Sequence, residues 1–442
     1  MSRVAGVPGR DFSVEDVRGD FPDELEIIPL ERPPDATVRV PGSKSVTNRA
    51  LLVAALADGP SRIINPLFSD DSFWLMDALV RLGIDLSADR DGGEVGVKGR
   101  GGGIPASDVD LFVGNAGTVA RFLPPALALG PGPYTVDGAP RMRERPISDL
   151  VDGMRQLGAA VEYAGAGESF PLKISGGGIR GGEARISGTR SSQFASGLLM
   201  AAPYADAPVT LRVDGREQWP YIGITVAVMR AFGVDVGEAP DLFTVQPAVY
   251  RPRHYTVEPD ASAASYFMAA AAVTGGRVEI PDLGSASPQG DLRFAEVLQN
   301  MGCKVQTTPR SIEIRGPDRL RGVDVDMNAL SDTMMTLAAI APFAQSPTTI
   351  RNVAHTRLQE TDRLSALATE LDRLGLTTHQ TSSSIRIIPQ KPRSAVVRTY
   401  GDHRMAMAFA VTGLVTPGIV IEDPGCVTKT FPEFFSRLEG LR

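Results

Sequence analysis

The sequence has little of what disulfide-rich folds and most metal sites are built from. Its 442 residues include 2 cysteines, Cys303 and Cys426, and 4 histidines, too few for a disulfide scaffold or a cysteine-based zinc site. A metal is therefore not expected, although carboxylates remain able to hold magnesium. So few cysteines are typical of a reduced compartment, and we expect a cytoplasmic protein.

Two further absences exclude whole classes of protein. No uninterrupted apolar run reaches the length of about 18 residues that a membrane span requires. The net charge of -7 is opposite to the basic footprint of a general nucleic-acid-binding protein. The N-terminal segment is charged and has no apolar core, unlike a secretory signal. We expect residues 1–24 to form a flexible extension, and the chain to be a monomer that binds neither nucleic acid nor a membrane.

The chain does contain a repeated local pattern, an apolar-periodic helix that ends in glycine and leads into a short strand. Glycine suits this position because a helix C-cap needs a left-handed residue, which glycine adopts without a Cβ penalty. The pattern recurs roughly every 70 residues, at Gly83, Gly158, Gly233, Gly302 and Gly375, with a weaker copy at Gly440. Any α/β protein has several such helix ends, but the near-regular spacing predicts six α/β units.

Units of this length are too long for a solenoid, so we expect subdomains grouped by threes into two domains. Breaks are expected near Pro41–Ser43 and within His254–Phe267. One domain would comprise residues 43–258. The other would comprise residues 25–42, including an N-terminal strand over about Leu25–Val40, together with 259–442. The predicted fold class is α/β with two domains of three units each, and a cleft between such domains is a usual place for a ligand.

The stretch Thr37–Gly59 predicts an anion site. Thr37–Val40 alternates like a strand, an Ala/Leu-rich helix runs from about Val46, and Pro-Gly-Ser-Lys-Ser lies between them. The start of a helix has unpaired N–H groups and the positive end of the helix dipole, to which Lys44 adds a cation. A solvated N-cap with an ordinary surface lysine is the alternative. The spacing of a Walker phosphate loop is absent.

Polar clusters recur at other predicted helix starts. They carry Lys, Arg, Ser, Gln or His side chains and occur in Gly114–Leu123, Ala139–Leu150, Ser187–Pro203, Thr356–Leu371, Tyr400–Leu414 and Asp423–Phe435. Taken singly, most of these residues would be helix caps or surface charges, and Asp362 and Asp402 in particular would cap or brace their turns. Taken together, cations and hydroxyls at several helix starts are how a protein without a metal holds a substrate with several negative charges.

Two carboxylates stand out among these cations. Asp332 begins a long Met/Ala/Leu-rich segment that must be core. Glu360 lies three residues before Arg363, so we place these two on one helix face. A capping role is the plain alternative for Asp332. A pair of carboxylates in a positive site suits general acid–base catalysis.

These motifs, in this order, resemble those of the 5-enolpyruvylshikimate-3-phosphate (EPSP) synthase family, the 3-phosphoshikimate 1-carboxyvinyltransferases. The resemblance runs from about Leu25 to the C-terminus and rests on PGSKS-x-x-NRA, GNAGT, PRM-x-ERP, SSQF, DAS-x-ASYF, ETDRL, DHRMAMAFA and KTFPEFF. It implies two domains of three small α/β units that close over an active site. The implied reaction transfers the enolpyruvyl group of phosphoenolpyruvate to the 5-hydroxyl of shikimate 3-phosphate and releases phosphate, within the shikimate pathway to chorismate and aromatic amino acids.

The resemblance also assigns site residues. Those implied for phosphoenolpyruvate are Lys44, Asn115, Gly117, Arg141, Gln193, Arg363, Arg404 and Lys429. Those implied for shikimate 3-phosphate are Lys44, Ser45, Arg49, Ser191, Ser192, Gln193, Tyr221, Asp332, His355 and Gln359. Arg49 and the two serines would serve the phosphate of the second substrate.

The implied catalytic set is Asp332, Glu360, Lys44 and His403. Asp332 would take the proton of the 5-hydroxyl, and Glu360 would protonate the methylene carbon of phosphoenolpyruvate. An acid, a base and a fixed positive field suffice for addition and elimination, so no metal or organic cofactor is implied.

Four residues depart from the family pattern. With the usual residue in parentheses, they are Gln359 (lysine), Gln218 (serine), Phe122 (proline) and His355 (asparagine). They bear on substrate contacts and on glyphosate, a competitor of phosphoenolpyruvate in this family. A neutral Gln359 stabilises a developing oxyanion less than lysine does, and His355 and Arg357 are the neighbours able to replace the missing charge.

Two other functions remain as alternatives. A paralogue would transfer enolpyruvyl to a different polyol or sugar. A paralogue that acts on UDP-N-acetylglucosamine is disfavoured because the characteristic cysteine loop of that enzyme is missing. Cys426 belongs instead to a motif of the shikimate enzymes. A non-catalytic phosphate-binding protein would need neither Asp332 nor Glu360, since both carboxylates repel anions.

Overall fold

The computed structural model describes residues 20–215 and 219–442. Residues 1–19 of the expected N-terminal extension and Gln218 therefore lie outside the described residues. The described chain divides into two units. Unit 1 comprises residues 42–257, and unit 2 comprises residues 20–41 together with 258–442. The chain passes from unit 2 into unit 1 and back.

Both units are built from short strands and helices. The strands are β1 (Glu24–Ile27), β2 (Asp35–Thr37), β3 (Pro60–Ile64), β4 (Asp85–Asp89), β5 (Glu94–Lys98), β6 (Val109–Phe112), β7 (Tyr134–Asp137), β8 (Ala160–Tyr163), β9 (Leu172–Gly176), β10 (Gly182–Ser187), β11 (Val209–Asp214), β12 (Gly237–Ala239), β13 (Leu242–Val245), β14 (His254–Thr256), β15 (Arg277–Pro281), β16 (Lys304–Thr307), β17 (Ser311–Arg315), β18 (Asp324–Asp326), β19 (Thr348–Arg351), β20 (Thr378–Gln380), β21 (Ile385–Ile387), β22 (Ala395–Val397) and β23 (Ile419–Glu422).

The helices are α1 (Lys44–Leu56), α2 (Asp70–Arg81), α3 (Gly117–Leu127), α4 (Pro140–Glu144), α5 (Ser148–Gln156), α6 (Gln193–Ala201), α7 (Trp219–Ala231), α8 (Ala261–Thr274), α9 (Phe294–Asn300), α10 (Met334–Ile340), α11 (Arg363–Arg373), α12 (His403–Gly413) and α13 (Phe434–Glu439). Across residues 20–215 and 219–442, none of these helices is both long and apolar enough to cross a membrane.

Each unit contains three copies of one topology, strand–helix–strand–helix, which is followed by a hairpin in all copies except the last one of unit 2. In the second copy of unit 1, β6 pairs parallel with β7, while β7 and β8 both pair antiparallel with β9. The resulting order β6-β7-β9-β8 recurs as β10-β11-β13-β12 in unit 1 and as β18-β19-β21-β20 in unit 2. The described residues form six sheets, five of four strands and one of three. The six α/β units predicted from the glycine period are confirmed.

Three copies take a strand from a distant part of the chain. β14 pairs parallel with β3 and completes the first sheet of unit 1, and β2 pairs parallel with β15 in unit 2. β1 pairs antiparallel with β23, in the position that the last strand of the other copies fills. The single N-terminal strand expected over about Leu25–Val40 is therefore wrong, because β1 and β2 belong to two different sheets.

The strand predicted at Thr37–Val40 is also displaced, since β2 ends at Thr37. Val38 N still donates to Glu279 O (2.8 Å), but Pro41 follows and has no N–H with which to continue a ladder.

The last residues of the expected flexible extension are placed against unit 2. Phe21 packs edge-on against Phe435, with ring centroids 6.4 Å apart. Asp23 O accepts a hydrogen bond from Asp423 N (2.8 Å), and Glu24 opens β1. These residues are held because β1 completes the last sheet.

The glycines that mark the repeat adopt the left-handed conformation. The φ values are +83°, +86°, +85°, +106° and +78° at Gly83, Gly158, Gly233, Gly302 and Gly375, respectively. At Gly440 φ is -63°, and no strand follows it. The prediction of left-handed C-caps is therefore confirmed for five copies and wrong for the weaker sixth, where the helix makes no turn into a strand.

The first helix of a copy is buried on all sides. Every residue from Val46 to Leu56 in α1 and from Ala261 to Ala272 in α8 is buried. Helices without a polar face lie at the centre of a protein, and here α3 packs on α6 in unit 1 while α12 packs on α10 in unit 2. Because the sides of these helices are buried in the core, the polar residues of each helix are concentrated at its ends.

Candidate active site

Five helices begin at residues that the sequence analysis placed in the site. These first residues are Lys44 (α1), Gly117 (α3), Gln193 (α6), Arg363 (α11) and His403 (α12). In the described part of the chain, the N-cap side chains of α1, α3 and α6 accept no hydrogen bond from their helices. The first N–H groups of a helix have no intrahelical partner, so these three starts are suited to anions.

The helix starts of unit 1 are joined side by side. Asn48 Nδ2 in α1 donates to Thr118 Oγ1 in α3 (2.6 Å). Arg49 Nη2 in α1 donates to Ser196 Oγ in α6 (3.1 Å). These buried bonds connect the second turn of α1 to the first turns of α3 and α6. The three site residues that open these helices therefore lie in one region of unit 1.

Arg49 is bound mainly by the protein itself. It is 2% exposed, and burial lowers its pKa to about 9. Besides Ser196, the guanidinium donates to Thr225 Oγ1 (2.7 Å), Ser45 O (2.8 Å) and Tyr221 O (3.1 Å). A guanidinium has five N–H donors, so these four bonds leave one, on Nη1, for a ligand. The residue fixes the backbone of two other predicted site residues.

Lys44 is held at the start of α1 by a buried carboxylate. Its Nζ lies 3.7 Å from Asp71 Oδ2, whose side chain is 2% exposed. Asp71 lies in the first turn of α2, where the helix dipole favours a negative charge. The lysine side chain is 12% exposed, so it is mostly buried but not closed off from solvent.

The three arginines after β7 occupy different environments. Arg141, which the resemblance assigned to phosphoenolpyruvate, has a side chain 34% exposed and pairs with Glu144 (2.8 Å). The side chain of Arg143 is 53% exposed and pairs with an aspartate. Arg145 is 6% exposed and contacts Asn115. Sequence reasoning passed over Arg145, because the spacing of the arginines does not tell which one is buried.

The polar residues before α6 present hydroxyls at a helix start. Ser191 Oγ accepts a hydrogen bond from Gln193 N (3.2 Å), and Ser192 is the N-cap and 5% exposed. Hydroxyls and backbone N–H groups in this arrangement suit a phosphate group.

Arg363 is the centre of the polar cluster in unit 2. Its side chain is 1% exposed and donates to Asp402 (2.8 Å), Glu360 (2.9 Å), Asp332 (3.3 Å) and the amide oxygen of Gln359. Burial alone would lower its pKa, but the carboxylates, Asp402 foremost, raise it above the usual value. The guanidinium therefore stays charged in the interior.

Both candidate catalytic carboxylates are shared between two cations. Asp332 Oδ2 lies 2.7 Å from Arg404 Nη2, while its other oxygen faces Arg363. Glu360 faces Arg363 as well, and its Oε1 lies 4.0 Å from Lys429 Nζ. The structure thus brings together in unit 2 the residues that the sequence analysis paired for acid–base work.

Asp362 and Asp402, which the sequence analysis interpreted as caps or braces of their turns, are the N-caps of α11 and α12. Asp362 accepts from Ser365 N (3.0 Å) at the start of α11, and Asp402 accepts from Arg404 N (2.9 Å) at the start of α12. Because Asp362 is the N-cap from which α11 begins, Glu360 lies before the helix. The prediction that Glu360 lies on the helix face is therefore wrong. Its contact with Arg363 is made across the helix start instead.

His403 lies behind the arginine cluster. It is fully buried, and its Nδ1 lies 3.5 Å from Asp402 Oδ1. Asp402 in turn binds Arg363. His403 is therefore linked to the Arg363 guanidinium through Asp402.

The neighbours of Gln359 do not supply the charge of the usual lysine. His355 Nε2 shares a hydrogen bond with Ser331 Oγ (2.8 Å), and burial lowers the pKa of His355 to about 4. The ring is therefore neutral at neutral pH. Arg357 Nη1 is bound to Asp362 (2.7 Å) at the start of α11. Neither residue compensates for the neutral glutamine.

Gln359→Lys should therefore raise kcat/KM for shikimate 3-phosphate. The substitution replaces the amide oxygen that accepts from Arg363 with a charged donor near the substrate hydroxyl that the resemblance implies. Charged hydrogen bonds contribute about 1.5–3 kcal/mol against about 1 for neutral ones, so the expected gain is about tenfold. Steady-state kinetics of the variant and of Gln359→Met measure it. A large fall for the lysine variant would mean that glutamine is adapted to a different acceptor.

His355→Gln should reduce the loss of stability toward acid pH. The pKa of His355 is about 4 in the folded protein and about 6.5 when unfolded, so only the unfolded state takes up this proton in between. The stability that depends on this histidine staying neutral is therefore complete above about pH 6.5 and is lost as the pH falls toward about 4. Urea unfolding at pH 7 and pH 4.5 should show a smaller difference for the variant than for the original chain. His379→Gln, at an exposed histidine, is the control, and equal behaviour of both variants would contradict the assignment.

Comparison with known proteins identifies relatives over nearly the whole chain. A family model described as EPSP synthase (3-phosphoshikimate 1-carboxyvinyltransferase) matches residues 31–438. A 3-phosphoshikimate 1-carboxyvinyltransferase of Trichormus variabilis is 50% identical over 418 residues, covering 94% of this chain and 98% of that protein. The chloroplastic enzyme of Arabidopsis thaliana is 45% identical over 439 residues, covering 95% and 84%.

Solved structures agree in fold. The EPSP synthase from Acinetobacter baumannii superimposes with a TM-score of 0.79 at 24% identity, covering 95% of this chain and 98% of that one. The enolpyruvyl transferase NikO from Streptomyces tendae gives 0.77 at 19% identity, covering 95% and 97%. At these identities the likeness bears on the fold alone.

Two units of three α/β copies, with polar helix starts in each, define the enolpyruvyl transferase fold. Within that class, the chain belongs to the EPSP synthase (3-phosphoshikimate 1-carboxyvinyltransferase) family.

Proposed function

We propose that this chain transfers the enolpyruvyl group of phosphoenolpyruvate to the 5-hydroxyl of shikimate 3-phosphate, giving 5-enolpyruvylshikimate 3-phosphate and phosphate. One observation carries the proposal. The buried guanidinium of Arg363 holds both Asp332 and Glu360, so the acid and the base of an addition–elimination reaction are fixed around a single cation. A protein that only bound phosphate would gain nothing from two such carboxylates.

The chemistry divides between the two carboxylates. In the addition step, the 5-hydroxyl oxygen attacks C2 of phosphoenolpyruvate while C3 takes a proton, which gives a tetrahedral intermediate. In the elimination step, the bond from C2 to the phosphate oxygen breaks and C3 returns a proton. We assign the hydroxyl proton to Asp332, whose side chain is 22% exposed, and the proton of C3 to Glu360.

The charge of the cluster in unit 2 supports these roles. Its three cations, Arg363, Arg404 and Lys429, face three carboxylates, Asp332, Glu360 and Asp402. These ion pairs join three positive and three negative charges, and Asp291 and Asp260 add negative charge near Arg404. An arriving anion adds negative charge, and a nearby like charge favours the protonated form of a carboxyl group. Binding of phosphoenolpyruvate therefore favours Glu360 in the acid form that the first step needs.

Unit 1 would supply positive groups and neutral donors. For phosphoenolpyruvate these are Lys44, Asn115, Gly117, Arg141 and Gln193, and for shikimate 3-phosphate Ser45, Ser191, Ser192, Tyr221 and the remaining N–H of Arg49. Hydroxyls and helix N–H groups hold a phosphate without adding charge, whereas Lys44 adds a cation. We further propose His403 as a residue that acts through Asp402 on Arg363.

A phosphate-release assay tests this proposal. With both phosphoenolpyruvate and shikimate 3-phosphate present, the protein should release phosphate at a rate that EDTA leaves unchanged. Omitting either substrate should abolish the release. No release from the pair, or release only with a different polyol or sugar, would overturn the proposal, the latter in favour of a paralogue.

A further inference from the structure

Arg145 is a buried cation without a carboxylate partner. It is 6% exposed, yet within residues 20–215 and 219–442 no acidic group lies within ion-pair distance of it. Its two side-chain hydrogen bonds, from Nη1 to Asn115 O (3.4 Å) and Asn115 Oδ1 (3.3 Å), are long. Its Nε is buried and has no hydrogen-bond partner in the described residues. Buried charges in proteins are normally paired, so this arrangement needs an explanation.

The backbone around Arg145 is held firmly in place. Arg121 Nη1 donates to Gly117 O (3.2 Å), and Arg121 Nη2 donates to Pro146 O (3.1 Å). Arg121 thereby ties the residue after Arg145 to the first residue of α3. Arg145 N also donates to Met142 O (3.2 Å). The backbone that carries the Arg145 side chain is therefore fixed relative to the start of α3.

The guanidinium lies at the N-terminus of α3. A Cβ at position 117 would lie 2.7 Å from Nη2 of Arg145, so glycine at this position makes room for the arginine. The helix is 11 residues long, and its N-cap, Ala116, has no side chain that could accept from the first turn. The positive end of a helix disfavours a cation. An anion that contacts both the guanidinium and the first N–H groups of the helix would offset this repulsion.

We propose that Arg145, together with the first N–H groups of α3, forms an oxyanion subsite for phosphoenolpyruvate in unit 1. The inference rests on the proposed function for the identity of the ligand. Arg145 then contributes a fork of two parallel donors that fits a phosphoryl or a carboxylate group. The partly buried Arg141 is held by Glu144 and is the more accessible of the two arginines.

Steady-state kinetics of Arg145→Lys and Arg145→Gln test the subsite. Both variants should raise KM for phosphoenolpyruvate by about tenfold or more, the usual effect of losing a charge-assisted hydrogen bond, with a smaller change in kcat. The dissociation constant for shikimate 3-phosphate alone should stay within about twofold. Arg143→Lys is the matched control, because the exposed Arg143 pairs with Asp137 at the surface, and its kinetics should not change.

A double-mutant cycle separates ligand binding from packing. Gly117→Ala places its Cβ against Nη2 and should raise KM for phosphoenolpyruvate in the original chain. In the Arg145→Gln background it should add much less, because the residue that it displaces has already lost its charge. An equal effect of Gly117→Ala in both backgrounds, or a KM of Arg145→Lys within about twofold of the original value, would overturn the proposal.

Direct binding of small anions keeps this test independent of turnover. Calorimetric titration with inorganic phosphate and with pyruvate should show weakened binding of at least one anion to Arg145→Gln, at unchanged thermal stability. Weaker phosphate binding assigns the subsite to the phosphoryl group, and weaker pyruvate binding assigns it to the carboxylate. Unchanged binding of both anions would overturn the subsite even if the enzyme turns over. Weakened binding without any turnover of the original chain would support the subsite and contradict the proposed function.

Discussion

Asp332→Asn and Glu360→Gln should each lower kcat by about 10²–10⁴-fold, the usual contribution of a general acid or base. Each substitution keeps the shape of the side chain but removes the group that exchanges a proton. It also removes one negative charge from the cluster around Arg363 and Arg404. KM for phosphoenolpyruvate should therefore stay constant or fall, since the cations then face the substrate with less competition.

The control for these variants is Asp324→Asn. Asp324 pairs with Arg351 at the surface, and its side chain is 65% exposed, so its substitution should leave kcat unchanged. Thermal unfolding of all three variants shows whether the fold is intact. A Glu360→Gln or Asp332→Asn enzyme that folds and keeps more than about half of the original kcat would remove that residue from the mechanism.

Arg363→Met should lower the free energy of unfolding by about 3–5 kcal/mol, the usual cost of removing one partner from a buried ion pair. Arg363 is 1% exposed, and its removal leaves Asp402, which is fully buried, without its strongest cation. Methionine has a similar length, so the loss arises from unpaired charge rather than from a cavity. Urea unfolding at pH 7 measures it, and activity should be lost together with stability.

Arg351→Met gives the matched comparison. Arg351 also pairs with an aspartate, but the two side chains are 48% and 65% exposed, and exposed pairs contribute about 0–1 kcal/mol. If the two methionine variants lose the same free energy, the buried cluster is not the stabilising element described here.

The repeat was predictable from sequence because it depends on local chemistry. A helix that turns into a strand needs a left-handed residue, and glycine marks each such turn. The exchange of strands was not predictable in the same way. β2 and β14 have only three residues each, too few for a pattern, and their places are set by pairing with β15 and β3 far along the chain.

The candidate site shows the same division. Motifs placed Lys44, Gln193 and Arg363 at helix starts, and the structure has them there, because the residues that flank a helix start are close in sequence. Burial depends on the rest of the unit. The order of Arg141, Arg143 and Arg145 in the sequence does not indicate that the third one is buried. Nor does a motif indicate that four N–H donors of Arg49 form hydrogen bonds within the protein.

The structure of the product is the most direct test of the central claim. The protein is incubated with phosphoenolpyruvate and shikimate 3-phosphate, and the organic product is identified by NMR and mass spectrometry. The account predicts an enol ether on the 5-oxygen, with the 3-phosphate retained and one phosphate released per molecule formed. Recovery of unchanged shikimate 3-phosphate, with phosphoenolpyruvate intact or hydrolysed to pyruvate, would contradict it.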